Sequence, residues 1–209
     1  MMTLYESLLE LTGERWTGVR LYGEPTLCAQ NPKYFARLCE AIGQSFESAL
    51  TVNPRDFDCR GALRTFGLNT DDEDMAQQMA CRAAMPIGQA RQIIRATPSV
   101  KEKVHAIEMG CIEKPDIVIS YLTPGAAMRL LRRWQQSTGR RLETHLSAFT
   151  AVCAAVAGAF NTGQLVFSFG CPDSRDYGGI AANQLIAAMP VNLAEELMQE
   201  EAEHAHIPI

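Results

Sequence analysis

The sequence predicts a mixed fold, α/β or α+β, in one compact domain built on a central mixed sheet flanked by helices. Three observations carry this. Short apolar runs such as "DIVISYL", residues 116 to 122, are interleaved with segments of helical period. That run leads straight into Thr123-Pro124, a helix cap followed by a proline at the first helical position. The 209 residues are 47% hydrophobic and 21% charged, which is enough apolar material for one sizeable core, so residues 1–209 read as a single domain.

Residues 3–12 have a helical period, and "TGVRLYG" at 17–23 alternates as a strand does. A loop with Pro25 and Cys28 follows. In "NPKYFARLCEAIGQ", Asn31 as cap, Pro32 at the first position and Gly43 near the end predict a short helix carrying Cys39 late. "SALTVN" reads as a strand, and a helix with Cys59 near its start stops at Gly67. Thr70 and the acids at 71–74 open the next helix; those acids are read as a solvated helix start, not as a metal site. Cys81 closes that helix, and Pro86 begins another over 86–96.

Two strands are expected on either side of Pro115, with Cys111 beside the first as a buried thiol. "DIVISYL" is apolar almost throughout, as strands covered on both faces are. The helix from Pro124 ends at Gly139, with Arg129, Arg132, Arg133 and Gln136 on a face expected to be solvated, the alternative being an anion or partner-protein contact. "RLETHL" reads as a strand, Ser147 as the cap of a core helix over 148–160 that carries Cys153, "GQLVFSFG" and "QLIAAMP" as strands, and "NLAEELMQEEAEH" as a closing helix.

Composition excludes several function classes. A net charge of -5 and a pI near 5.4 argue against nucleic-acid binding, which rests on neutralising phosphates. The opening "MMTLYESLLELTGERW" lacks the charged and apolar regions of a secretory signal, and the apolar run at 148–160 is too short to span a bilayer. No membrane insertion and a cytoplasmic location are therefore expected. Phosphate-binding, dinucleotide, zinc-protease and hydrolase motifs are missing.

The seven cysteines stand out, at 28, 39, 59, 81, 111, 153 and 171. Without an export signal they point to a reducing compartment, where thiols serve packing, metals or catalysis more often than disulfides. No two form C-x-x-C, so any metal site must be assembled by the fold. In "FSFGCPDSRDYGG", residues 167–179, Cys171 ends an apolar strand and begins a loop, where rigid scaffolds carry their chemistry.

The order "RLCEAIGQSF", "DFDCRGALRTFGL", "KPDIVISYLTPGAAMRLL", "SAFTAVCAAVAGAF", "VFSFGCPDSRDYGG" and "IAAMP" resembles the uncharacterised family catalogued as domain of unknown function 169, over roughly residues 20–200. Members of that family, most familiar from anaerobic archaea and bacteria, carry a cysteine in each segment that here holds Cys39, Cys59, Cys153 and Cys171. This chain departs by placing Pro172, Asp173 and Ser174 before Arg175, and Arg60-Gly61 where Pro-Gly is usual.

The resemblance implies a site and no reaction. In one reading Cys39, Cys59, Cys153 and Cys171 hold an iron–sulfur cluster, [4Fe–4S], or else a soft metal such as zinc, in a redox or accessory role in anaerobic metabolism. Arg175 and the Tyr177-Gly178-Gly179 turn would support the thiolates from behind. In a second reading Cys171 or Cys59 is a reactive thiolate of an enzyme. In a third the cysteines only pack, and the protein binds a small molecule or partner without any cofactor. A redox partner protein and a homo-oligomer both stay open, whereas Cys28 and Cys81 lie outside the site in every reading.

Overall fold

A computed structural model of the protein describes residues 2–24, 33–68, 71–144, 146 and 148–204, with side chains as far as residue 199. The chain begins with helix α1, Leu4–Thr12, closed at its start by a reciprocal cap: Thr3 Oγ1 accepts from Glu6 N–H and the Glu6 carboxylate accepts from Thr3 N–H. Strand β1, Trp16–Tyr22, follows as its alternation predicts. Then come α2, Leu38–Ser45, β2, Leu50–Val52, a 3-10 turn at Pro54–Asp56, and α3, Arg60–Thr65. Helices α4, Asp72–Arg82, and α5, Ile87–Ala96, precede strands β3, Ala106–Gly110, and β4, Ile117–Leu122. The rest is α6, Pro124–Thr138, α7, Ala151–Thr162, β5, Val166–Ser168, α8, Pro172–Gly178, β6, Leu185–Pro190, and α9, Val191–His204.

The six strands form one sheet in the order β2-β3-β1-β4-β6-β5. Of the two expected classes the arrangement is α+β, because each pairing in the sheet is antiparallel where a mixed sheet was expected. Strand β4 is buried along its whole length, which explains its unbroken apolar run. Its alternate residues feed two different cores. Ile117, Ile119 and Tyr121 join Val19, Met109, Ile186 and Ala188 on the face covered by α2, α3 and α7. Val118 and Leu122 join Ala187 and Met189 on the face covered by α1, α6 and α9. The sheet is thus flanked by helices on both sides, in one body.

Several local expectations are corrected. "RLETHL" is no strand: residues 141–144 and 146 are irregular, and His145 lies outside the described residues. Its Thr144 hydroxyl instead accepts the N–H of Phe167 at 3.2 Å, so a side chain occupies the edge of β5 that a strand would have filled. The helix expected from Pro32 begins at Leu38, which puts Cys39 in its first turn rather than late; Asn31, Pro32 and Cys28 lie outside the described residues. Asp71 caps α4 through a bond to the Asp74 N–H, and Thr70 lies outside the described residues. Helix α7 starts at Ala151, not 148, and Ser147 also lies outside them. Cys111, expected to be buried, is exposed just past β3.

The arginine face of α6 is not simply solvated. Arg129 donates to the carbonyls of Leu11 and Thr12 at the C-terminal end of α1, and Arg133 donates to Leu197 O of α9 at 2.7 Å. Arg129 satisfies carbonyls that the end of α1 leaves unpaired, and the two arginines tie α6 to both of its neighbours.

Candidate functional site

Each of the four cysteines singled out above lies at the start of a helix. Cys39 is the second residue of α2, Cys59 the cap residue of α3, Cys153 the third residue of α7, and Cys171 the cap residue of α8. The fold brings these four helix starts to one place on the same side of the sheet. There the four cysteines line a single cavity of about 560 Å³. Cys39 and Cys153 are buried, at 7% and 8% exposure, whereas Cys59 and Cys171 are partly open to solvent.

The spacing is close. The sulfurs of Cys59 and Cys153 stand 3.6 and 3.8 Å from the position that a Cβ would take on Gly61, so their separation cannot exceed the sum of those lengths. The Cys39 thiol donates weakly to Asp173 O on α8, at 3.8 Å. Burial first, then the neighbouring Cys171 and Cys59 thiols, push the Cys39 pKa up to about 12. Burial likewise pushes the Cys153 thiol well above its ordinary value, with Cys59, Cys39 and Cys171 adding to the rise. These two thiols keep their protons at neutral pH. A bound cation inverts that preference, since a coordinating thiol is deprotonated outright. Among the described residues, no three His, Cys, Asp or Glu side chains are grouped as ligands of one metal ion.

Backbone geometry holds the thiols in position. Helices α2 and α8 touch through glycine: a Cβ on Gly43 would lie 2.7 Å from the carbonyl oxygen of Gly178, and a Cβ on Gly178 would lie 3.0 Å from that of Cys39. Only glycine permits this approach, which brings Cys171 beside Cys39. At the start of α8 the buried Ser174 hydroxyl accepts the Cys171 N–H and donates to the Cys171 carbonyl, both at 2.8 Å. Cys171 therefore opens a helix; β5 has already ended at Ser168.

The expected supporting residues have other work. Arg175 donates to the carbonyls of Phe169, Ala181 and Gln184, bracing the loops on either side of α8, and it is not part of the cavity wall. Tyr177 is half exposed with the Arg37 guanidinium over its ring, 3.7 Å from the centroid. Gly178 serves helix packing, and Gly179 ends α8 in the left-handed region at φ 73°. None of the four lines the cavity.

Sequence reasoning missed the residues that complete the wall. Arg37, Arg60 and Arg82 line the cavity together with Met75 and Met79 of α4 and Phe149. Two of these were signalled by position, since Arg60 adjoins Cys59 and Arg37 lies two residues before Cys39. The contribution of α4 carried no signal, because its acids mark it as a solvated helix. In fact α4 and α5 pack on each other around Met75, Ala76, Ala90 and Ile94, a small core of their own. Ion pairs fasten α4 to the helices that Cys59 and Cys171 begin: Arg60 with Asp74, Arg64 with Asp72 at 2.8 Å, and Arg82 with Asp173 at 3.0 Å. The helical pair forms one wall of the cavity.

Comparison with known proteins gives a family and no activity. The sequence pattern of the family described as uncharacterised ArCR, domain of unknown function 169, matches residues 18–200. An uncharacterised protein of Methanocaldococcus jannaschii is 27% identical over 115 residues, a match that covers 53% of this chain and 49% of that protein. The chain thus aligns with about half the length of that curated relative. No solved structure matches.

Proposed function

The chain belongs to this family, whose description carries no activity, and we propose from its site that it binds an iron–sulfur cluster, [4Fe–4S], through Cys39, Cys59, Cys153 and Cys171. One observation carries the reading: four thiols from segments far apart in sequence line the same cavity, with the other three within electrostatic reach of Cys153 and two of them within reach of Cys39. Four thiolates are the complement such a cluster requires.

The donor set also suits zinc, but a Zn–S length of about 2.3 Å places the four sulfurs roughly 3.8 Å apart in a tetrahedron. The cavity of about 560 Å³ that the four cysteines share has room for a multi-atom group as well as for an ion. A cluster of this kind supplies one-electron transfer. The chain's own residues make the rest of the site. The four cysteines give up their protons on loading. The starts of α2 and α7, neither of them capped by a side chain, turn backbone N–H groups toward the negative charge that results. Arg37, Arg60 and Arg82 stand in the wall beside Asp58 and Asp173, with Arg60 paired to Asp74 and Arg82 to Asp173. Met75, Met79 and Phe149 exclude water, which limits oxidation and hydrolysis of the group.

In this reading the protein works in the cytoplasm, in a redox or accessory role in anaerobic metabolism, and exchanges electrons with a partner protein. The thiol-enzyme reading retains one supporting observation, the partial exposure of Cys59 and Cys171 at the cavity.

Anaerobic reconstitution with ferrous iron and sulfide, followed by analysis of both, tests the proposal. About four iron and four sulfide per chain are expected, falling sharply in C39S, C59S, C153S and C171S. Zinc uptake without sulfide would replace the cluster by an ion. A folded protein that takes up neither, with one cysteine reacting fast with iodoacetamide at neutral pH, would favour the enzyme.

A further inference from the structure

At the β5 edge of the sheet lies a second cavity, an open apolar groove of about 430 Å³. Met128 and Leu131 of α6, Leu142 and Leu146 of the segment that follows, and Phe167 and Phe169 at β5 line it. Met128 is 56% exposed, Leu146 55% and Phe169 52%. Three of the seven large hydrophobic side chains that stand exposed among the described residues thus meet in one place, and such clustering marks an interaction surface where single exposed residues would not. The groove suits a macromolecule better than a small molecule. The Thr144 hydroxyl on its wall already accepts the Phe167 N–H at 3.2 Å and Ser168 is buried, so converging polar groups that would orient a small ligand are lacking among the described residues.

The rim of the groove is basic. Residues 117–172 hold five arginines and one acid, Glu143, in a chain whose net charge is -5. Arg129 and Arg133 are engaged by carbonyls of α1 and α9, whereas Arg132, Arg140 and Arg141 are exposed and have no ion pair among the described residues. Arg132 lies one helical turn beyond Met128, and Arg141 directly precedes Leu142. An apolar centre within a charged rim is the anatomy of a protein interface, and the sign of this rim selects an acidic partner.

The groove also adjoins the cysteine site. Phe169 lines the one and Cys171 the other, with Gly170 between them, which puts their Cα atoms at most about 7 Å apart. A second stretch of chain runs from Leu146 in the groove to Phe149 in the cavity wall. Cys171 is one of the two site thiols partly open to solvent. A protein seated on the groove therefore stands next to the side of the site that solvent reaches.

We propose that this groove is the docking surface for an acidic electron-carrier protein, which seats an apolar side chain between Met128 and Phe169, sets carboxylates against Arg132 and Arg141, and meets the site beside Cys171. This rests on the cluster reading above. In the complex one electron passes from the reduced carrier to the group held by the four cysteines: the carrier is oxidised by one electron, the group is reduced by one, and no bond forms or breaks.

The test mixes the anaerobically reconstituted protein with a reduced two-cluster bacterial ferredoxin, chosen as a small acidic electron carrier, and follows electron transfer by stopped flow in the wild type, R132E, M128D and, as a control, K114E. Lys114 is exposed just before β4, at the end of that strand remote from Leu122 and the groove. The wild-type rate should fall as salt rises. R132E and M128D should each lower the rate at low salt by about tenfold, R132E should also weaken the salt dependence, and K114E should stay within about twofold of the wild type. Iron and sulfide content and the reduction midpoint should be the same in all four, since the three substituted residues are exposed and lie outside the cysteine cavity. No electron transfer to the loaded protein, a rate that neither R132E nor M128D lowers, or an equal loss in K114E overturns the docking surface and leaves the cluster in place. An unmoved rate together with a wild-type dimer that M128D separates assigns the groove to a second copy of the chain, and an unmoved rate together with binding to phosphatidylglycerol vesicles that R132E and M128D abolish assigns it to a membrane; either overturns the proposal. A wild type that loads no iron and sulfide overturns both readings, and that analysis tells the failures apart.

Discussion

At the scale of single residues, two of the thiols at the site, Cys39 and Cys153, have their protons held by burial and by neighbouring thiols. The pH dependence of the unloaded protein follows from Cys39, whose pKa rises from an ordinary value of 9.0 to about 12 in the folded state. A raised pKa means that the unfolded chain loses its proton first. The stability from this group is therefore complete below about pH 9 and is lost as pH climbs from about 9 toward about 12. Denaturation of the unloaded protein at intervals from pH 8 to 11 should show that decline, and C39A should lessen it, leaving the part that the likewise raised Cys153 contributes.

The other described cysteines behave differently. Cys81 and Cys111 are exposed, so serine at either position should change stability by less than about 0.5 kcal/mol and leave iron and sulfide content untouched. Cys171 stood out in the sequence, because a thiol followed by proline after an apolar run is conspicuous. Its setting did not. The paired glycines at 178 and 179 suggested a turn, whereas Pro172 at the first helical position and the Ser174 cap form a helix of which Gly178 is the last residue.

At the scale of elements, the helical pair α4–α5 stands as a wall of the cavity that holds the buried thiols, which predicts that it controls access to them. It packs on its own small core, and its ion pairs to α3 and α8 are partly exposed, so each is worth little and is weakened by salt. D173N removes the Arg82 partner. It should speed alkylation of Cys39 and Cys153 several-fold, with little change in melting temperature, and high salt should have the same effect on the parent. Equal rates in both proteins at all salt concentrations would mean that α4 does not gate the cavity. Periodicity alone could not find this role. It tells which face of a helix is polar and says nothing of what stands opposite, and so the arginines of α6 were also read as solvated when they bind carbonyls of α1 and α9.

At the scale of the whole molecule, one antiparallel sheet separates two cores: one under the cysteine site, the other under α1, α6 and α9. Strand β4 serves both, which made it the most legible element in the sequence. Val118 is 0% exposed between α-helices and sheet, so V118D should cost several kcal/mol in chemical denaturation, as an unpaired buried charge does. A variant that unfolds like the parent would contradict the two-sided burial. Strand directions and the meeting of four distant helix starts were beyond any local pattern, since both depend on pairings across the whole chain. The family resemblance, not spacing, is what pointed to the four thiols.

The claim that these thiols act together is tested most directly by X-ray absorption at the iron edge of the reconstituted protein. The account predicts an all-sulfur shell at about 2.3 Å with a resolved iron–iron shell beyond it, and loss of both in C153S. Iron surrounded by oxygen or nitrogen, or a sulfur shell with no second iron, would contradict it.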